Sequence, residues 1–312
     1  MSRLRAGVVG TGHWAREIHA PGAAQQPELD LVAVWGRDAD RAAELAAPYG
    51  AASGTDVEAF LDAVDVVLFA VPPDVQAGLA VRAAAAGCHL LLEKPVALDP
   101  AEAREVADAV RRAGTSSVVF FTERFVPERE AWLQDLATRG CGGGRATWLA
   151  SLLDPGNPFA GSPWRDARGA LWDVGPHALS LLLPVLGPVM QVTAATGPGD
   201  LTEALLTHES GAVSTMSLSL TMPPAATHFD LAFWHDQGWS ERPGAGVGAE
   251  MAYDHALGEL VADIRAGSPG HRCGADFGAE VVDILFRVQQ SRDQQSRAGR
   301  SRAVQSLDDG GR

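Results

Sequence analysis

The stretch HLLLEKPVALD, residues 89–99, holds Lys94, the only lysine of the chain; every other member of its 25 basic side chains is arginine. An arginine cannot release its proton inside a protein, whereas a lysine can shift its pKa and exchange one. The retention of a single lysine marks Lys94 as a candidate for chemistry. Pro95 behind it restricts Lys94 to an extended backbone and so aims its side chain. A second candidate is the pair Asp173 and His177, four residues apart at the start of the apolar run HALSLLLPVLG. That spacing predicts one face of a first helical turn, with Asp173 at the N-cap. A histidine there can take or return a proton near neutral pH, and a carboxylate beside it can fix its orientation.

A third group binds rather than reacts. Gly10-Thr11-Gly12-His13-Trp14-Ala15 is a GxGxxA turn between an apolar run and a helical pattern. Gly10 permits the tight turn, Gly12 lets a pyrophosphate approach the backbone, and Ala15 lets the helix pack on its strand. The helix start adds free N–H groups and a positive dipole end. About 20 residues on, where an NAD site places an acid against the ribose 2′-hydroxyl, stand Gly36 and Arg37. An arginine there can grip a 2′-phosphate, so NADP is the expected cofactor, with NAD possible.

These groups need a scaffold. LRAGVVG (4–10), DLVAVWG (30–36), VDVVLFAV (64–71), CHLLLE (88–93) and SSVVFF (116–121) read as buried strands, with helical patterns between them. That alternation predicts an α/β fold, a Rossmann-type doubly wound parallel sheet with ligands at its strand ends. From about 123 the pattern changes. In AVSTMSLSLTM (212–222), Met216, Leu218, Leu220 and Met222 face one way and Ser217, Ser219 and Thr221 the other; HFDLAFWHD (228–236) alternates likewise. This predicts a C-terminal α+β domain with a mostly antiparallel open sheet and helices at about 250–266 and 276–291. The expected division is 1–122, nucleotide-binding; 123–302, substrate binding and oligomerisation; and 303–312, a frayed tail.

With these pieces placed, the chain resembles the Gfo/Idh/MocA family of sugar and polyol dehydrogenases. GVVGTGHWA is similar to its cofactor turn, VPPDVQAGLAVRAAAAGCHLLLEKPVAL to the stretch ending in its EKP motif, and FFTERFVP to the segment leaving the nucleotide domain. PWRDARGALWDVGPHALSLLLPVLG (163–187) is similar to its tryptophan–arginine pair followed by DxGxH. The resemblance implies that Val71, Pro72, Gln76, Glu93, Lys94, Trp164 and Arg165 join the cofactor contacts, with Trp164 and Arg165 shaping the mouth between the domains. It also implies a homodimer or homotetramer through the C-terminal sheet. The chain departs from the family at Val71-Pro72-Pro73 and Gln76, where Thr-Pro-Asn and then His are common. Thr122 replaces a common asparagine, and the glycine-rich run is reduced to Arg168-Gly169-Ala170.

A net charge of −14 argues against nucleic acid or an anionic membrane as partner. Cysteines 88, 141 and 273 are odd in number and unpaired in spacing, which fits reduced thiols and not a disulfide framework or a zinc site. No stretch reaches the roughly 18 apolar residues of a membrane span, and no leader pattern opens the chain, so a cytoplasmic protein is expected. The expected reaction is reversible hydride transfer between NADP(H) and the secondary alcohol or ketone of a sugar, polyol, inositol or dihydrodiol. His177 would move the hydroxyl proton, Lys94 would stabilise charge on that oxygen, and Asp173 would hold His177. Two rivals stay open: an NADP-sensing regulator without catalysis, and a glycoside-cleaving enzyme that oxidises its substrate transiently with NAD.

Overall fold

The computed structural model describes residues 2–152, 163–244 and 248–309, without the side chains of 163 and of 298–309. The chain forms two compact units, one of residues 1–127 and 245–282, the other of 128–244 and 283–312.

The first unit runs β1 (Leu4–Val9), a π-helical turn (Ala15–His19), α1 (Ala20–Gln25), β2 (Leu29–Trp35), α2 (Ala39–Ala46), β3 (Ala52–Gly54), α3 (Val57–Ala63), β4 (Val66–Phe69), α4 (Pro73–Ala85), β5 (His89–Leu92), α5 (Pro100–Ala113) and β6 (Ser117–Val119). Its sheet has the order β3-β2-β1-β4-β5-β6, with every pair parallel. The central strands are apolar without alternation because helices cover both faces: Val8, Leu68 and Leu91 have no exposure. Asp38, Asp56 and Asp99 cap α2, α3 and α5 by accepting from amides just beyond them. Strand order reverses direction between β1 and β4, and there the carboxyl ends of the strands open a crevice. The short β3 and α3 lie in a stretch with no strong apolar period, so nothing local in the sequence marks either.

The second unit holds α6 (Pro127–Arg139), β7 (Gly143–Leu149), α7 (Pro163–Asp173), α8 (Gly175–Leu186), β8 (Val189–Thr196), β9 (Thr202–His208), β10 (Val213–Ser219), β11 (His228–His235) and β12 (Gly238–Glu241). The sheet order is β12-β11-β7-β10-β9-β8, antiparallel except for β7 against β10. Met216, Leu218 and Leu220 are buried as their alternation required, but so is Ser219, expected on the opposite face. Its hydroxyl donates to Asp200 Oδ1 at 2.7 Å, which satisfies it inside. Within Trp164–Leu186, 23 residues long, an 18-residue window reaches a mean hydropathy of 1.2, enough by length and composition to span a membrane, where no such stretch was expected. In the structure 83% of that window is buried, so it is core.

Two helices complete the chain, α9 (Ala249–Ala266) and α10 (Ala275–Asp309). The expected single block 123–302 is interrupted here, because α9 belongs to the first unit. Its buried face includes Tyr253, Ala256, Leu257 and Leu260. Gly22 on α1 makes the room: a Cβ there would stand 2.6 Å from the Tyr253 ring. The division between units falls within α10, which stays helical through Asp309 although a frayed end was expected from 303; residues 310–312 lie outside the described ones.

Candidate functional site

At the carboxyl end of β1, Gly10 has φ 118°, and a Cβ on it would lie 2.4 Å from the Ala70 carbonyl oxygen. Only glycine meets both demands. The turn opens on a cavity of about 350 Å³ whose walls include Gly10, Thr11, Gly12, Gly36, Arg37, Val71 and Pro72. Nothing lies within 4 Å of where a Cβ of Gly12 would stand, so the backbone is open to a ligand there. At Gly36 the reverse holds, since a Cβ would come within 2.7 Å of Thr11 Cγ2. Any acid at this position would press on the glycine turn. These features fit the pyrophosphate and ribose of a dinucleotide.

The same cavity is lined by Asp38 and Arg41, which the sequence reading did not single out. Asp38 Oδ1 accepts from the amides of Asp40 and Arg41 at 3.0 and 3.1 Å, so the carboxylate is engaged in capping α2. Arg41 lies four residues beyond Arg37 at the start of that helix, a spacing that could have marked it.

Beyond β5 comes the Glu93-Lys94-Pro95 loop, with a cis peptide between Lys94 and Pro95 and Lys94 half-buried. Gln76, expected among the cofactor contacts, is instead fully buried on α4 and spent on this loop. Its Nε2 donates to the carbonyls of Glu93, Pro95 and Val96 at 2.8, 3.3 and 3.1 Å, and its Oε1 accepts from Glu93 N at 2.8 Å. The Glu93 carboxylate is likewise held inward: Oε1 lies 3.0 Å from His19 Nε2, and Oε2 accepts from Lys94 N at 3.3 Å. The far nitrogen of His19, Nδ1, meets the Tyr253 hydroxyl at 3.0 Å. Burial first, then the Glu93 charge, pushes the Tyr253 phenol well above its usual range, so this hydroxyl keeps its proton. Neither His19 nor Tyr253 carries a motif signal. His13 is exposed and Trp14 half-buried at the helix start, and neither is on the cavity wall, while Ala15 is buried in the helix as expected.

In the second unit Asp173 does not cap α8 as expected. It is the last residue of α7, and Val174 takes the N-cap position with no side-chain bond. The Asp173 carboxylate, 5% exposed, pairs with Arg165 Nε at 3.2 Å. The guanidinium of Arg165 lies over the Trp164 ring, 4.6 Å from its centroid. Arg165 thus ties the tryptophan–arginine pair to the aspartate of DxGxH within one unit. His177 is 7% exposed and stacks on Trp148 of β7, ring centroids 5.4 Å apart and planes 25° from parallel. Trp148 stands in no motif, and only the sheet register brings it there.

The kink of α7 at Gly169, φ 66°, is fixed by another residue outside the motifs. Asp200 Oδ2 accepts from the Ala170 amide at 3.0 Å, and Oδ1 accepts from the hydroxyls of Ser219 and Thr221 at 2.7 and 2.8 Å. Burial works against this charge, but the hydrogen bonds from Ser219, Thr221, Leu220 and Ala170 outweigh it and hold the carboxyl below its ordinary range.

Residues 4–121 match the family model described as oxidoreductase family, NAD-binding Rossmann fold, and residues 144–239 match the GFO/IDH/MocA C-terminal domain. D-glucoside 3-dehydrogenase of Escherichia coli is 33% identical over 60% of this chain, and the match spans 55% of that relative. 4-Carboxy-2-hydroxymuconate-6-semialdehyde dehydrogenase of Sphingobium is 30% identical over 72% of this chain and 75% of its own. The fold is shared with UDP-N-acetylglucosamine 3-dehydrogenase of Acidithiobacillus ferrooxidans, at a TM-score of 0.80 with 22% identity over 94% of this chain and 99% of that one.

Proposed function

The chain belongs to the Gfo/Idh/MocA family of oxidoreductases, and from that premise we propose that it transfers hydride between NADP(H) and a secondary alcohol or ketone of a sugar-like substrate. The observation that carries the cofactor choice is the glycine at the end of β2, where a Cβ would press on Thr11 Cγ2, while Arg37 and Arg41 line the cavity. Two arginines suit a 2′-phosphate, by charge and by forked hydrogen bonding. The presence of Asp38 on the same wall favours a second reading, NAD bound through its ribose hydroxyls.

Bound nicotinamide supplies the hydride chemistry, and the protein orients it and moves the proton. In this reading Lys94 hydrogen-bonds the substrate oxygen and stabilises the negative charge that develops on it. His177 Nε2 or Nδ1 takes the hydroxyl proton in oxidation and returns it in reduction. Asp173, four residues before that histidine, is itself paired with Arg165. The sugar class is supported by two relatives named as 3-dehydrogenases of a D-glucoside and of UDP-N-acetylglucosamine, while another relative is named for a muconate semialdehyde. Pairing of two copies through the open sheet face is supported by Leu205 and Trp239, 45% and 59% exposed on one face. A cytoplasmic setting is supported by three buried free thiols.

A panel of glycosides, nucleotide sugars, inositols, polyols and dihydrodiols, followed by absorbance of NADPH and of NADH, tests the reading. Turnover of a secondary alcohol with NADP and weaker turnover with NAD is expected. No change in either cofactor across the panel would remove the dehydrogenase reading.

A further inference from the structure

We infer that His19 is a positioning residue for Lys94: clamped between Tyr253 and Glu93, it sets the carboxylate that holds the Lys94 amide. The inference rests on the reading of Lys94 as the charge-stabilising group. Three segments remote in sequence meet here, at residues 19, 93 and 253, all within the first unit. The helix after the glycine turn does not enter as an ordinary α-helix. Its π-helical turn, closed by Ala20 N donating to Ala15 O, ends on His19 and turns that side chain fully inside. π-Helical turns are rare and tend to mark functional places.

Tyr253 keeps its proton, and a phenol that donates to His19 Nδ1 selects the tautomer with its proton on Nε2, facing Glu93 Oε1. The other carboxylate oxygen accepts from the Lys94 amide. Both ring nitrogens of His19 and both oxygens of the Glu93 carboxylate have partners, as burial demands. Stability alone does not ask for it, since well-packed apolar residues do as well as a buried polar set, or better. What the polar set adds is direction. Gln76 holds the backbone on either side of Lys94, and the imidazole–carboxylate contact fixes the remaining freedom of the loop. A phenol buried at the far end makes a stop and not a proton path, so the device orients and does not conduct.

The single lysine offers a direct test. Apoprotein made with 13Cε-lysine gives one lysine resonance. In the folded wild type it should stand apart from the resonance in urea-unfolded protein. His19→Leu should move it toward the unfolded position. His19→Gln, whose amide can donate from the Nε2 place, should leave it near the wild type. Tyr253→Phe, the milder variant should His19→Leu fail to fold, should move it part of the way. NADPH affinity, read by fluorescence titration, should change less than about threefold, under 1 kcal/mol. On the fastest substrate of the panel, kcat of His19→Leu should fall about a hundredfold at nearly constant KM, the cost expected of a group displaced by about 1 Å. A resonance unmoved in His19→Leu, or in Tyr253→Phe where the first does not fold, overturns the inference. If the resonance moves but Lys94→Arg keeps its turnover, positioning stands and the catalytic reading of Lys94 falls.

Discussion

The indole of Trp148 and the imidazole of His177 lie nearly parallel, 5.4 Å apart, and Phe229 braces the indole edge-on at 4.4 Å. An aromatic pair of this kind contributes about 0.5–1.5 kcal/mol beyond its buried area. It also limits how far the imidazole can swing. Trp148→Leu should therefore lower turnover up to about tenfold if that whole contribution is lost from the transition state. His177→Ala should cost more, on the order of 10²–10⁴-fold, the usual weight of a general acid–base group. Both should leave NADPH titration unchanged. Steady-state kinetics showing His177→Ala above about a third of wild-type turnover would return this histidine to packing.

Lys94→Arg keeps the charge but exchanges a compact ammonium for a planar fork that cannot titrate. A folded protein with unchanged thermal midpoint, retained NADPH binding and a loss of turnover of about a hundredfold or more is expected, at least 2.7 kcal/mol of barrier. Calorimetry beside the rate assay separates this from misfolding. Near-normal activity would strip Lys94 of its role.

Arg37 and Arg41 should act together on cofactor choice. Losing one charged hydrogen bond costs about 1.5–3 kcal/mol. Either alanine variant should thus weaken NADPH by roughly 10–150-fold, with NADH affected far less. Equal losses for both cofactors, or a wild type that prefers NADH, would hand the site to the Asp38 reading.

Acid should loosen the first unit through Glu259. Burial raises this carboxyl, but hydrogen bonds and ion pairs with His271 and Arg272 prevail and bring it from 4.5 to about 2. A depressed folded pKa means the unfolded chain takes up the proton first. The contribution of Glu259 is full above 4.5 and fades as pH falls toward about 2. Glu259→Gln should flatten the acid limb of a stability curve measured by urea melts, and a curve parallel to the wild type would contradict this.

Much of the scaffold could be read from the chain because its signals were local. The apolar runs of β1, β4 and β5 and the glycine turn at Gly10 need only neighbours in sequence to be recognised. Asp173 misled because a polar residue before an apolar helical run has the look of a cap, whereas α7 continues through it and Arg165 takes the carboxylate. Gln76 misled in another way: its neighbourhood belongs to the cofactor side, but its amide faces the interior. Trp148, His19, Tyr253 and Asp200 were not visible at all. Each acts through a partner brought near by sheet register or by a distant helix, and no periodicity records such pairings.

A ribosome making this chain releases β1 to β6 long before α9. Until residue 260 or so has emerged, Gly22 faces no Tyr253, His19 lacks its phenol, and the apolar patch that α9 will cover is open to water. The first unit is therefore begun first but closed late, with the second unit threaded through its synthesis. Long-range closure of this sort slows folding and leaves a sticky intermediate. Fragments ending near residue 244 should accumulate as aggregates, however complete their Rossmann sheet.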